Sequence, residues 1–140
     1  MKIREFCFPE DHKGALELWG SMEIGVQVGR SDTLEEIKKK IQRDPDLFLI
    51  AEIDNEIVGT IIGGYDGRRG MIYHLAVKSN LRKHGIGTML LEEVEKRLRD
   101  KGCKKCYLLI TAENAAAAHF YERNNWREMK EDRIFGKEFP

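Results

Sequence analysis

Several ingredients are scarce in this chain, and each scarcity excludes something. It carries 3 cysteines in 140 residues, Cys7, Cys103 and Cys106; a set that is odd and sparse suits a reducing compartment and excludes a disulfide framework. Net charge is missing too, with 24 basic against 24 acidic residues, so no overall field draws the chain to nucleic acid or to an anionic membrane. No apolar run approaches the ~18 residues of a membrane span, and Met1-Lys2-Ile3-Arg4-Glu5 lacks the apolar region of a signal peptide. These absences predict a cytoplasmic protein. Repeats, low-complexity stretches and linkers are likewise absent, so residues 1–140 read as a single domain, large enough at 16.2 kDa to bury roughly two thirds of its unfolded surface.

The spacing Cys103-Lys104-Lys105-Cys106 raises redox and metal chemistry, and its position argues against both. A redox cysteine is usually activated at a helix N-terminus, whereas Lys101-Gly102 reads as a helix C-cap. A structural zinc site needs four ligands, and no second pair has suitable spacing. A helix-to-strand connection with a half-buried thiol is the favoured reading, and no metal is expected. Lys38-Lys39-Lys40, following Glu35-Glu36, reads as a solvated helix face.

What is present is a regular alternation of elements. Ile3–Phe8 alternates as a strand, and Pro9-Glu10-Asp11 opens a helix through Ala15, Leu16, Leu18 and Trp19 to Gly20. Ser21–Asp32, with Gly25 and Gly29, has no sustained period. Thr33-Leu34-Glu35-Glu36 is a capping-box start for a second helix bearing Leu34, Ile37 and Ile41, closed by Pro45. Leu47–Ile53 and Glu56–Gly63 form a hairpin about Asp54-Asn55, and Met71–Val77 is a third strand of this group. Ile86, Leu90, Val94 and Leu98 mark a long amphipathic helix with i,i+4 pairs Glu92/Lys96, Glu93/Arg97 and Glu95/Arg99. Cys106–Thr111 is a strand, Asn114 caps a helix reaching Arg123, and Trp126–Met129 and Arg133–Phe139 are expected as closing strands. The order β α α β β β α β α β β predicts a mixed α/β (α+β) domain, antiparallel first, with a parallel crossover through the long helix.

The stretch Leu81-Arg82-Lys83-His84-Gly85-Ile86-Gly87-Thr88 joins a strand to that helix. A helix N-terminus has amides without internal partners and the positive end of the macrodipole, which suits a phosphate. Gly85 and Gly87 leave room for close approach, and Arg82 and Lys83 add charge; a merely tight turn remains the plain alternative. Neither a dinucleotide fingerprint nor a Walker loop fits. Arg82-Lys83-His84-Gly85-Ile86-Gly87 after Leu75-Ala76-Val77 instead resembles the acyl-CoA pyrophosphate loop of the GNAT superfamily of N-acetyltransferases, of the single-domain bacterial or archaeal type. A second stretch agrees: Asn114, Ala117, Phe120, Tyr121 and Glu122 match the family's Asn-x-x-Ala-x-x-Phe-Tyr-Glu-x-x-Gly-Phe. Asn125 and Trp126 replace its glycine and phenylalanine; asparagine still tolerates the left-handed cap conformation.

The resemblance implies a GNAT-like sheet with splayed central strands and acetyl-CoA as co-substrate. Its pantetheine arm would bond the backbone about Leu75, Ala76 and Val77, and its pyrophosphate would lie on Arg82, Lys83, His84, Gly85, Ile86, Gly87 and Thr88. Phe120 joins this cofactor-binding set, as does Asn114, whose plain alternative is a helix cap. Tyr121 would protonate the leaving thiolate, a phenol with an unperturbed pKa of ~10 being protonated at neutral pH; otherwise it packs beside Phe120. A general base is not assigned among His74, Tyr73, Glu113 and Asp66. Alternation turns His74 away from the cleft unless a bulge changes the parity. The acceptor would be a small-molecule amine or a peptide or protein amine, met by segment 10–41 and the loops at 65–69 and 131–133. There Glu23, Asp66 and Glu113 suit a cation, and Arg30, Arg68 and Arg69 a carboxylate. Either a monomer or a homodimer built on the edge at Trp126–Phe139 is compatible. A non-catalytic acyl-CoA-binding sensor or interaction domain is the alternative to an enzyme.

Overall fold

A computed structural model describes residues 1–24 and 26–140; Gly25, one of the glycines of the aperiodic segment, lies outside them. β1 (Lys2–Glu5), β2 (Phe48–Ile53), β3 (Glu56–Tyr65), β4 (Gly70–Val77) and β5 (Cys106–Leu108) form one sheet in that order. The first four pair antiparallel and β5 lies parallel to β4, as a crossover through α3 (Ile86–Asp100) requires. With α1 (His12–Gly20), α2 (Leu34–Arg43) and α4 (Ala115–Arg123), this is the expected mixed α/β fold. Among the described residues no helix is long and apolar enough to cross a membrane.

Local chemistry accounts for most boundaries. Asp54 and Asn55 both take positive φ, 49° and 63°, the turn whose twist matches a two-residue hairpin. Thr33 Oγ1 accepts the Glu36 N–H at 3.3 Å and starts α2. α1 begins later than Pro9 because the Asp11 carboxylate is already engaged: it accepts Arg4 Nη1 at 2.6 Å and the Cys7 N–H at 2.7 Å and makes no side-chain cap. Burial opposes ionisation of Asp11, but Arg4 and the Cys7 amide outweigh it and hold the carboxyl below its ordinary range. Of the three expected acid–base pairs on α3, Glu93–Arg97 forms, at 3.0 Å. Lys96 turns to Asp100 at 3.1 Å, and Glu95 accepts Trp126 Nε1 at 3.4 Å. Past the helix, Gly102 N–H bonds Arg99 O and Cys103 N–H bonds Leu98 O, the expected C-cap. Burial, then the neighbouring Cys103, pushes the Cys106 thiol up to about 12, the state of an inert half-buried cysteine.

Alternation along β2 divides the core between two faces. Leu47, Leu49 and Ala51 pack with Leu90, Leu91, Val94 and Leu98 of α3, while Phe48 and Ile50 pack with Ala15, Leu18 and Trp19 of α1 and Ile37 of α2. Each such large side chain contributes roughly 1.5–3 kcal/mol by leaving water, so the paired strands and three helices form the rigid part of the molecule.

Two expectations about strands are corrected. The strand expected at Cys106–Thr111 ends at Leu108, and the closing strands at Trp126–Met129 and Arg133–Phe139 do not form. A turn closed by Asp132 N–H on Met129 O, with Arg127 paired to Glu131 at 3.1 Å, leads the chain outward instead. Ile134 and Phe135 there are 74% and 86% exposed. A strand in this segment would bury little, and the three-residue β5 offers it a short edge, so packing does not repay the ordering entropy.

Candidate active site

The site lies where β4 and β5 part. Their pairing runs Gly70↔Cys106, Met71↔Tyr107, Ile72↔Leu108 and stops, while β4 continues to Val77 against β3. The backbone from Tyr73 to Val77, including Leu75, Ala76 and Val77, therefore faces β5 without a strand partner. A bulge marks the same point. Thr60 pairs with Ala76 and Ile62 with Tyr73, so two residues, His74 and Leu75, oppose Ile61 alone, and His74 takes φ 48°. A bulge changes which side chains face the gap and bends the strand away from its neighbour.

Beyond β4 a one-turn helix, Ser79–Leu81, brings the chain to the N-terminus of α3. Lys83 has φ 65° and Gly85, the N-cap, φ 84°. No side chain caps this end, so the amides of Ile86, Gly87 and Thr88 retain their hydrogen-bonding capacity. A Cβ on Gly85 would meet open space; the residue is needed for its backbone angle. Gly87 has another role: a Cβ there would lie 3.3 Å from the Phe120 ring. It admits α4 against α3, a packing function that the glycine spacing alone did not separate from anion binding. Arg82 Nε donates to Val77 O at 3.4 Å, and His84 Nδ1 lies 3.1 Å from Leu81 O, so both side chains brace the loop.

α4 supplies the phenol. Asn114 Oδ1 accepts the Ala117 N–H at 3.1 Å, so it is a helix cap, the plainer of its two readings. Phe120 and Tyr121 pack on the α3 side of the sheet, with Tyr121 edge-on between Phe120 at 5.1 Å and Trp126 at 5.9 Å. Burial pushes its hydroxyl up to about 12, and among the described residues nothing hydrogen-bonds to it. Asn125 takes φ 68° and ends α4 as the family's glycine would. Three residues beyond β5, Thr111 Oγ1 is buried without a hydrogen-bond partner.

The remaining candidates separate. Asp66 Oδ1 accepts the amides of Arg69 and Arg68 at 2.7 and 2.8 Å; these two bonds hold its carboxyl below the ordinary range and make it a poor base. Tyr73 is half exposed, and its phenol is raised by burial and then by Cys106. Glu113 is exposed, and Arg30 donates to Phe139 O. His74 is drawn toward α1, its ring 4.6 Å from that of Trp19. Sequence reasoning missed the chain of contacts there: Trp19 Nε1 donates to Thr60 Oγ1 at 2.8 Å, Thr60 Oγ1 donates to His74 O at 2.8 Å, and His74 Nε2 meets Asp32 Oδ1 at 2.8 Å. Its only sequence signal is an acidic residue preceding a helix cap, which reads as capping. Among the described residues no three His, Cys, Asp or Glu side chains gather where a metal could bind.

A parted parallel pair, an uncapped glycine-turned helix start and a half-buried phenol together make up the candidate site. A model of the acetyltransferase (GNAT) family matches residues 14–126, and the chain belongs to that family. It is 38% identical over 123 residues to an acetyltransferase of Pectobacterium atrosepticum, covering 88% of this chain and 85% of that one. To an acetyltransferase of Photorhabdus laumondii it is 38% identical over 141 residues, covering 98% and 94%. Among solved structures, a GNAT-family acetyltransferase from Staphylococcus aureus superposes with TM-score 0.81 at 24% identity, covering 97% of this chain and 92% of that one. PaiA N-acetyltransferase from Thermoplasma acidophilum, solved with coenzyme A, gives 0.71 at 22%, covering 89% of each. The protein is thus an acyltransferase with the GNAT fold.

Proposed function

We propose that this enzyme transfers an acetyl group from acetyl-CoA to a primary amine, on a small molecule or a peptide, by direct attack, with Tyr121 protonating the leaving thiolate. The observation that carries the reading is the unpaired β4 edge at Tyr73–Val77, flanked by the uncapped start of α3 and by the half-buried Tyr121. The residues suit acetyl-CoA: an extended amide-bearing arm can add to the β4 edge as a strand would, and the amides at 86–88 with Arg82 and Lys83 can take its phosphates. When bound, it supplies an activated thioester.

The chain's own groups then have separable tasks. The backbone about Leu75 and Val77 orients the arm, and the Leu75 N–H donates to the carbonyl oxygen as charge develops there. Phe120 and Trp126 pack edge-on against the Tyr121 ring, and burial keeps its phenol protonated across the physiological range. Its proton passes to the sulfur as the carbon–sulfur bond breaks, and the amine loses its proton to a base.

Thermal melting with acetyl-CoA, CoA, and ATP as an anion control tests the cofactor reading without an acceptor. Ligand at a hundredfold its dissociation constant adds ~2.7 kcal/mol, so acetyl-CoA and CoA should raise the midpoint by several degrees and ATP should not. A cooperative melt unmoved by either CoA form would overturn it.

A further inference from the structure

We infer that Asp32 and His74 form a base dyad, with His74 Nδ1 taking the proton from the acceptor ammonium and Asp32 positioning the ring; the inference rests on the N-acetyltransferase reading above. Four observations place the pair. His74 occupies the bulge where β4 leaves β5, at the end of the gap assigned to the thioester. Its backbone is fixed in a left-handed conformation, φ 48°, that few non-glycine residues adopt without support; the support is the buried Thr60 hydroxyl on its carbonyl, itself held by Trp19. Nε2 is 2.8 Å from Asp32 Oδ1, and a carboxylate only accepts, so Nε2 carries the hydrogen and Nδ1 is the ring nitrogen that can present a lone pair. Among the described residues nothing bonds to Nδ1, and the side chain retains 20% of its exposure.

Asp32 is itself held in place. Its other oxygen accepts the Gly29 N–H at 2.9 Å, its backbone carbonyl lies 3.0 Å from His12 Nε2, and the residue is 7% exposed. A base oriented by a third group, fixed in turn by its surroundings, is the arrangement general-base chemistry needs. The side of the sheet is right as well. α3 and α4 cover one face, and the phosphate-binding loop opens there, so the acyl donor occupies that approach; α1 and the segment before α2 cover the other, where the His74 ring lies against Trp19. His74 thus lies on the face opposite α3 and α4, with 20% of its side chain open to an acceptor. The step balances: the ammonium N–H bond breaks, its proton forms Nδ1–H, the freed lone pair forms the bond to the acetyl carbon, and the imidazolium beside the Asp32 carboxylate later releases the proton to water.

Two measurements test this. Long-range ¹H–¹⁵N spectra of the 4 histidines, with His74 identified by its loss in His74→Gln, report the tautomer directly. Nε2–H with unprotonated Nδ1 is expected, shifting toward mixed tautomers in Asp32→Asn; Nδ1–H in the wild type would overturn the assignment. Thiol release from acetyl-CoA is then compared for ethylamine and trifluoroethylamine, the second being already unprotonated at neutral pH. His74→Gln keeps a donor for Asp32 and should retain the acetyl-CoA melting shift, yet lose about 10²–10⁴-fold in rate on ethylamine with little loss on trifluoroethylamine. Asp32→Asn should show the same contrast, more weakly. Equal losses on both amines, or none, would reduce the pair to a structural tether. Wild-type protein that binds acetyl-CoA and acetylates no amine would sink the functional reading instead, leaving the tautomer to decide the dyad.

Discussion

β4 has two unlike edges. Toward β3 it is paired from Gly70 to Val77, interrupted by one bulge, with Trp19, Thr60 and Phe48 fully buried behind it. Toward β5 it is paired at Gly70, Met71 and Ile72 and then bare. One strand thus serves as the rigid centre of a core and as an open template, and the bulge at His74 is where one role gives way to the other. With the acyl-CoA arm on the open edge, as proposed, stability resides on the first edge and function on the second, so substitutions should divide cleanly between unfolding and turnover.

The strongest challenge to that division is at the helix start. Gly85→Glu places a side chain on φ 84° and a negative charge at the uncapped amides. Binding of acetyl-CoA, measured by calorimetry, should be lost, while stability falls only by the ~1–2 kcal/mol of a strained turn. Tyr121→Phe should next lower turnover about 10²–10⁴-fold with acetyl-CoA binding nearly intact; unchanged turnover would remove the acid role. On the opposite edge, Trp19→Ala should cost about 3–5 kcal/mol in urea unfolding, since it opens a cavity and also frees the Thr60 hydroxyl.

A smaller effect is expected with pH. Burial raises Tyr121 from 10.0 to about 12 and Cys106 from 9.0 to about 12. The unfolded chain therefore loses these protons first, and the stability they contribute is complete below about pH 9 and lost as pH rises toward 12. Denaturant midpoints should fall across that range, less steeply in Tyr121→Phe. The smallest change should follow removal of Arg133–Pro140: exposed and tied back by the bond from Arg30 to Phe139 O, this segment should alter stability by no more than about 0.5 kcal/mol.

The paired region was largely legible in the sequence. The Thr33 cap, the Asp54-Asn55 turn and the four-residue period from Ile86 to Leu98 are local signals, and local chemistry decides them. Tyr121, Asn114 and the Arg82–Thr88 loop stand out as candidates because a motif carries them. What escaped depends on contacts across the chain. Arg133–Phe139 has a strand's composition but no edge to bury against. Gly87 serves Phe120, which lies on another helix. Asp32 resembles a helix-start acid until the bulge at His74 turns an imidazole toward it, and no spacing rule links residues that far apart.

The unequal edges of β4 can be read directly by amide hydrogen exchange across the sheet, with and without saturating acetyl-CoA. The β2 and β3 amides should be slow in both states, while those of Tyr73–Val77 that face β5 should exchange quickly in the free enzyme and slow by up to about a hundredfold when it is bound. Tyr73–Val77 amides that are already as protected as β3 in the free enzyme, or that remain unchanged by a ligand which does bind, would contradict the open edge as the acyl-CoA site.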